Sequence, residues 1–182
     1  MTKSPTVTFR PATPRDADTL AALARETFTD TFGHLYSEGD LSAHLAEKCS
    51  PQFFRDALDA GDDITLVEDG GQPVGYSKVG GLGLPVAYPI ENAQEIHRIY
   101  VRRSHHHQGL GQQLLDRAFA SERLKRASVV YLGVWEENDR AKQFYYRNGF
   151  MPVGRYLYPV GQQLDRELIL AQLMPAHEVC AA

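Results

Sequence analysis

A turn rich in glycine and polar residues, centred on residue 109, could bind a phosphate group. The segment from Glu95 to Leu115 reads as a strand, a polar turn and a helix that begins at Gln108-Gly109-Leu110-Gly111. The first N–H groups of a helix have no intrahelical acceptor, and the helix dipole adds positive potential to them. The pattern therefore predicts a binding site for a pyrophosphate group. A G-x-G pair alone is weak evidence, because many glycines only relieve crowding in turns.

The elements that must position this turn form a single mixed α/β domain. Strands are predicted at 6–9, 63–69, 72–79, 95–101, 129–134, 150–158 and 164–173, and helices after Thr13, at Asp40, at Ser50, from Gly109 to about Arg126 and from Asn138 to Gly149. Apolar spacing and cap residues support these assignments. Their order predicts a mixed, mostly antiparallel sheet flanked by helices. The core is expected over residues 6–173, with a flexible tail over 174–182.

Composition excludes several classes of protein. A net charge of −4 argues against nucleic acid or an anionic membrane as the main partner. No apolar run approaches the ~20 residues needed to span a bilayer, and residues 1–5 lack the apolar core of a signal peptide. The two cysteines, Cys49 and Cys180, lie far apart and imply no disulfide framework. A reducing cytoplasm is the expected location, and a homodimer is compatible with the sequence.

Two motifs resemble those of the GNAT superfamily of acyl-CoA-dependent N-acetyltransferases. The loop at 106–111, HHQGLG, matches Q/R-x-x-G-x-G/A with His106 at its first position. The segment NDRAKQFY at 138–145, followed by Gly149-Phe150, matches the second motif. The order of elements agrees over nearly the whole chain. More narrowly, LGVWEENDRAKQFYYRNGF and ETFTDTFGHLYSEGDL resemble PaiA-type acetyltransferases, whose implied substrates are spermidine-like polyamines.

The resemblance implies a cosubstrate and the residues that bind it. It implies a sheet in which two parallel strands splay apart to hold acetyl-CoA. The residues implied to contact acetyl-CoA are Ile99, Tyr100, Val101, His106, His107, Gln108, Gly109, Leu110, Gly111, Gln112, Asn138, Lys142 and Tyr145. Independently, the seven-residue spacing of Asn138 and Tyr145 puts both on one helix face, about 10 Å apart along the axis. Both side chains could therefore contact an extended pantetheine arm.

Acetylation of an amine requires proton transfers. An amine with a pKa near 10.4 is neutral in only about 1 molecule in 2,500 at pH 7, so a general base aids attack on the thioester. The resemblance implies that Glu95, at the start of the central strand, is this base. His97 shares the strand face of Glu95 and is a rival base or proton relay. The resemblance also implies that Tyr145 is the general acid that protonates the departing thiolate.

The window 26–47 bears on the acceptor, because it contains carboxylates but no Lys or Arg. Glu26 and Asp30 would attract a cation. Phe28, Phe32 and Tyr36 recur every four residues and could line an amine pocket through cation–π contacts. A buried aromatic stripe beside a solvated acidic face explains the pattern equally well.

The sequence therefore predicts an acetyl-CoA-dependent N-acetyltransferase in which an amine attacks the thioester directly in a ternary complex. A polyamine or another small cationic amine is the favoured acceptor. One alternative enzyme acetylates a protein N-terminus or a lysine side chain. A non-catalytic acyl-CoA-binding regulatory module is the alternative from another class. No metal is expected at His105-His106-His107, because adjacent side chains point in different directions.

Overall fold

The computed structural model describes residues 7–175, which form one seven-stranded sheet with helices on both faces. The strands are β1 (Val7–Pro11), β2 (Asp63–Asp69), β3 (Gln72–Gly81), β4 (Ala93–Val101), β5 (Val129–Trp135), β6 (Met151–Val160) and β7 (Gln163–Leu173). The helices are α1 (Ala17–Phe32), α2 (Glu38–Lys48), α3 (Pro51–Asp59), α4 (Leu110–Ala120), α5 (Glu122–Lys125) and α6 (Asp139–Arg147). The strand order is β1-β2-β3-β4-β5-β7-β6. The predicted mixed single-sheet fold is confirmed.

Strands β4 and β5 form the parallel pair, and they separate after three residues. Ala93–Glu95 pairs with Val129–Tyr131, and no later residue of either strand pairs across this boundary. The other neighbouring strands within residues 7–175 run antiparallel. Because β4 continues to Val101 and β5 to Trp135, a cleft opens between them. This is the splayed pair that the sequence predicted.

Apolar cores lie on both faces of the sheet and pack against the strands that flank the cleft. Leu66 of β2 packs with α1 and α3, whereas its neighbour Val67 packs against α4. Successive strand residues point to opposite faces, so these two contacts define the two sides. Leu115 of α4 and Phe54 of α3 are fully buried, one in each core. Packing on both sides therefore fixes the positions of β4 and β5.

A β-bulge at His97 alters the direction of the side chains along β4. Arg98 pairs with Lys78 and Ile96 pairs with Val79, so His97 is the extra residue. A bulge bends its strand and re-aims the side chains on either side of it. Accordingly, Ile96 and Ile99 both pack on the α4 side of the sheet although they are three residues apart.

The structure corrects three predicted boundaries. The helix expected from Gly109 to about Arg126 is two helices, because Ser121 is extended (φ −69°, ψ 149°) and its Oγ caps α5. Helix α2 begins at Glu38 rather than at Asp40, because the hydroxyl of Ser37 accepts the Asp40 N–H at 3.1 Å. The first strand continues to Pro11. Residues 176–182 of the predicted tail at 174–182, which include Cys180, and the first residue of the predicted strand at 6–9 lie outside the described residues.

Candidate active site

A cavity of about 940 Å³ follows the cleft from the start of α4 to the aromatic side chains of α1. Its walls include β4 residues on one side and Gly133, Val134 and Trp135 of β5 on the other. Helix α6 contributes Tyr145, and β7 contributes acidic side chains at the far end. A volume of this size suits an elongated ligand together with a small acceptor.

The start of α4 presents unpaired backbone N–H groups to this cavity. Gly109 is the N-cap, with a left-handed backbone (φ 75°) and no side chain that caps the helix. The first helical hydrogen bond runs from Gln113 N to the Gly109 carbonyl at 3.1 Å. The N–H groups of residues 110–112 therefore have no helical acceptor. Gly109, Leu110, Gly111 and Gln112 line the cavity, as an anion seat requires.

The three consecutive histidines have separate partners. His106 Nε2 lies 2.8 Å from the Val101 carbonyl, which can only accept, so this nitrogen carries the proton. Its Nδ1 can then accept from Arg140 at 3.2 Å. His105 Nε2 lies 3.3 Å from Asp69. Thus His106, at the position where the motif has Gln or Arg, joins β4 to α6. Residues 7–175 hold no cluster of three His, Cys, Asp or Glu side chains suited to a metal ion.

Helix α6 brings a capping amide and a phenol to the cavity. Asn138 caps the helix through its Oδ1, which accepts the Ala141 N–H at 3.1 Å. Tyr145 lies about two turns further along the same face of the helix. Its ring centroid is 5.1 Å from that of Phe144 and 5.7 Å from that of Phe150. Burial raises the pKa of Tyr145, so its phenol stays protonated at neutral pH. A protonated phenol that lines the cavity is able to donate a proton there.

Several predicted site residues line the cavity and others do not. Those that line it are Phe28, Phe32, Tyr36, Glu95, Ile99, Tyr100, Val101, His106, His107, Gly109, Leu110, Gly111, Gln112, Asn138 and Tyr145. Those outside the lining are Glu26, Asp30, Gln108 and Lys142. Glu26 instead pairs with Arg102 at 2.9 Å, and Lys142 pairs with Asp139 at 2.8 Å. Asp30 is exposed, so the acidic residues predicted for the acceptor do not face the cleft.

Glu95 is buried, and both of its carboxylate oxygens are occupied. Oε2 accepts the N–H groups of Gly83 at 2.8 Å and Leu84 at 3.0 Å, and Oε1 lies 3.0 Å from His97 Nδ1. Burial acts to raise the pKa of Glu95, but the bonds from His97 and the two amides outweigh it and lower that pKa. Glu95 therefore anchors the loop after β3, which lines the cavity. Its role as general base stays a prediction.

Replacing Glu95 with glutamine tests whether it is an anchor or a base. Because its contacts make it an anchor, we expect Glu95→Gln to lower turnover roughly tenfold by displacing the loop, equally at all pH values. The measurement is thiol release from acetyl-CoA between pH 7 and 10. Glu91→Gln, at an exposed position in the same loop, is the control. Recovery of the wild-type rate at high pH would support the base role instead.

Two carboxylates that sequence reasoning missed lie at the acceptor end of the cavity. Asp165 and Glu167 of β7 are two residues apart and share a strand face. Asp165 accepts from the phenol of Tyr36, and Glu167 accepts from the phenol of Tyr156. All four side chains line the cavity. The available signal was a pair of acids at alternate positions in a strand that has a neighbour on each side.

Aromatic rings form the wall beside these carboxylates. Phe28 stacks on Tyr36 with ring centroids 6.1 Å apart and on His44 at 4.3 Å. Phe32 meets Trp135 edge to face at 6.1 Å. Burial and the nearby charge of Arg98 lower the pKa of His44 to about 4, so this imidazole is neutral at pH 7. The three predicted aromatic residues thus lie together at one end of the cleft.

The chain was compared with known proteins. The family model described as "Acetyltransferase (GNAT) domain" matches residues 60–152, about half of the chain. An uncharacterized N-acetyltransferase in the pepI 3′ region of Lactobacillus delbrueckii subsp. lactis is 30% identical over 88% of this chain and 93% of its own length. This chain belongs to the GNAT acetyltransferase family. It is therefore an acetyl-CoA-dependent N-acetyltransferase.

Two further similarities involve Thermoplasma acidophilum. Its spermidine N(1)-acetyltransferase is 26% identical to this acetyltransferase over 79% of this chain and 88% of that protein. The crystal structure of PaiA N-acetyltransferase from the same organism, in complex with coenzyme A, matches with a TM-score of 0.74. That match covers 93% of this chain and 99% of the other at 21% identity, so it supports the fold alone.

The residues present fit acetyl-CoA. Its pyrophosphate needs an anion-binding site, and the unpaired N–H groups of residues 110–112 would supply one. Its pantetheine arm needs an extended slot, and the space between β4 and β5 would hold it. When bound, the thioester supplies the acetyl group.

No helix among residues 7–175 is long and apolar enough to cross a membrane.

Proposed function

We propose that this acetyltransferase acetylates a primary amine of a small cationic acceptor, of the polyamine class, by direct attack in a ternary complex. The observation that carries the proposal is the pair Asp165 and Glu167, which face the cavity beside an aromatic wall. Carboxylates attract an ammonium group, and aromatic faces stabilise it through cation–π contacts. The similarity to a spermidine N(1)-acetyltransferase supports the same acceptor class.

Two of the positive side chains that line the cavity, Lys78 and Arg98, have partners of their own. Lys78 is paired with Asp62 at 2.6 Å. Arg98 donates to the Lys48 carbonyl at 2.8 Å and lies over the Phe53 ring at 4.7 Å. Among residues 7–175, neither cation pairs with Asp165 or Glu167. This distribution favours an acceptor with more than one positive charge.

The geometry also favours a small acceptor over a peptide. The loop after β3 places Gly83, Leu84 and Pro85 in the wall of the cavity. Glu95 holds the first two of these by their N–H groups. A peptide chain needs an open groove that continues past the reacting amine, and this loop narrows the approach. In this proposal, Tyr145 protonates the departing thiolate.

Acetyl-CoA turnover with an amine panel tests the acceptor. We expect thiol release with spermidine and with shorter diamines to exceed release with peptides that carry a free N-terminus or lysine. Asp165→Asn should raise the KM for spermidine roughly tenfold, because it removes one carboxylate from the acceptor end. Strong preference for peptides would contradict the polyamine assignment. Binding of acetyl-CoA without turnover of any amine would favour a non-catalytic module.

A further inference from the structure

One carboxylate at the acceptor end is placed differently from the others. The acidic side chains that line the cavity are Glu95, Asp165 and Glu167. Both oxygens of Glu95 are bonded, and Asp165 accepts from Tyr36 and, at 2.8 Å, from Gln163. Glu167 uses Oε2 to accept from Tyr156, and its Oε1 has no hydrogen-bond partner among residues 7–175. Glu167 itself lines the cavity, so its carboxylate borders the space where an acceptor would bind.

Glu167 lies at the opening of the cleft. An added Cβ on Gly133 of β5 would come within 2.7 Å of Glu167 Oε2, so the carboxylate lies directly over that residue. Gly133 is two residues past Tyr131, the last position where β5 pairs with β4. Glu167 therefore lies close to the point where β4 and β5 begin to separate. It is on the face of the sheet that carries the aromatic wall.

We propose that Glu167, positioned by the phenol of Tyr156, is the proton acceptor for the amine in this acetyltransferase. The inference rests on the proposed function, since it presumes an ammonium group at the acceptor end. Among the oxygens of the three cavity carboxylates, Oε1 of Glu167 is the one that accepts no hydrogen bond from residues 7–175.

The proton transfers balance. The bound ammonium gives one proton to Glu167, and its nitrogen lone pair forms the C–N bond to the acetyl carbon. The C–S bond breaks, and its electron pair goes to sulfur. Sulfur takes a proton from Tyr145, and the second proton lost by the nitrogen restores the phenol. Glu167 then releases its proton to water, so one proton is lost overall for each amine acetylated.

The electrostatic surroundings suit this role. Burial raises the pKa of Glu167 to about 7, the bond from Tyr156 opposes the rise, and the charges of Asp165 and Glu95 add to it. A base with a pKa near the working pH transfers protons most effectively. The other titratable groups around Glu167 are Tyr36, Tyr100 and Tyr158, and His97 lies beyond Glu95. Because Glu167 must be ionised to act, activity should rise with pH up to about 7 and then level off.

Glu167→Gln tests the proposal, with Asp165→Asn as the matched control. The control removes the neighbouring carboxylate, which also pairs with a phenol but has both oxygens bonded. We expect Glu167→Gln to lower kcat/KM at pH 7.5 by roughly 10²-fold, the low end of general-base contributions. Its rate should then keep rising about tenfold per pH unit towards the pKa of the amine, because only amine that is neutral in solution reacts. Asp165→Asn should lower kcat/KM roughly tenfold through KM, but its pH profile should still level off, because Glu167 is intact.

Two further measurements separate this role from a purely structural one. Tyr156→Phe removes a bond that favours ionised Glu167, so the midpoint of the pH–rate profile should move upward. In protein without acetyl-CoA, carbon-13 spectra of labelled glutamate carboxyls should show one group that titrates near pH 7. Its midpoint should be lower in Asp165→Asn, and the group should be absent in Glu167→Gln. A wild-type profile in Glu167→Gln, or no glutamate titrating near neutrality, would overturn the assignment. Failure of the wild-type protein to acetylate any amine would reject the proposed function itself.

Discussion

Replacing Tyr145 with phenylalanine is expected to lower turnover by roughly 10²-fold, the low end of general-acid contributions, and to leave the affinity for acetyl-CoA unchanged. The substitution removes only the hydroxyl, and the ring keeps its contacts with Phe144 and Phe150. A free thiol has a pKa of about 8.5, so the thiolate is a moderately poor leaving group and benefits from a proton donor without requiring one. The measurements are thiol release under saturating amine and calorimetric titration with coenzyme A.

Tyr146→Phe is the control for this prediction. Tyr146 is the next residue of α6, is 40% exposed and is absent from the cavity lining. It points about 100° away around the helix, so the loss of its hydroxyl should leave turnover unchanged. If Tyr145→Phe weakened coenzyme A binding as much as it lowered turnover, Tyr145 would be a packing residue rather than a proton donor.

Replacing Asp62 with asparagine is expected to lower the free energy of unfolding by about 3 kcal/mol, because it leaves a buried cation without its counter-ion. Asp62 lies 2.6 Å from Lys78, whose side chain is only 7% exposed in the middle of β3. Burial already lowers the pKa of Lys78, which shows that its charge is poorly solvated. Denaturant unfolding at pH 7 would measure the loss.

The pH dependence of this loss has a definite sign. When the pKa of a lysine is lower in the folded state than in the unfolded state, the fold is destabilised at each pH where the unfolded lysine is charged. This destabilisation decreases as the pH rises towards the ordinary lysine pKa of about 10.4. The loss in free energy of unfolding caused by Asp62→Asn should therefore become smaller between pH 7 and 9. The double variant Asp62→Asn, Lys78→Met should regain most of the wild-type stability, because no buried charge remains. An equal deficit in the double variant would show that the ion pair is not the cause.

The parts of the site that depend on neighbouring residues could be predicted from the sequence. A helix start with exposed N–H groups needs only a suitable cap, and Gly109 adopts the left-handed conformation that glycine allows. Gly149 likewise ends α6 with φ 90°, as its position in the second motif indicated. The spacing of Asn138 and Tyr145 on one helix places both in the cavity. These features are local, so their residue types are sufficient to specify them.

The acceptor end could not be predicted in this way. The sequence predicts that Glu26 and Asp30 attract the acceptor, because the window 26–47 contains carboxylates but no Lys or Arg. Glu26 is two residues before Phe28 in α1, so the two side chains differ by about 200° around the helix and cannot share a face. Glu26 consequently points away and pairs with Arg102. The acids that do face the aromatic wall come from a strand more than 120 residues later.

By itself, the amino-acid sequence indicated the helix start at Gly109, the family and the place of Tyr145 on α6, because each is encoded by residues close together in the chain. The tertiary structure alone decided which carboxylates face the cleft. Strand β7 inserts between β5 and β6, and this placement brings Glu167 beside Gly133 and Asp165 beside Tyr36. Pairing between distant strands depends on the packing of both faces of the sheet, and no local spacing of residues specifies that packing.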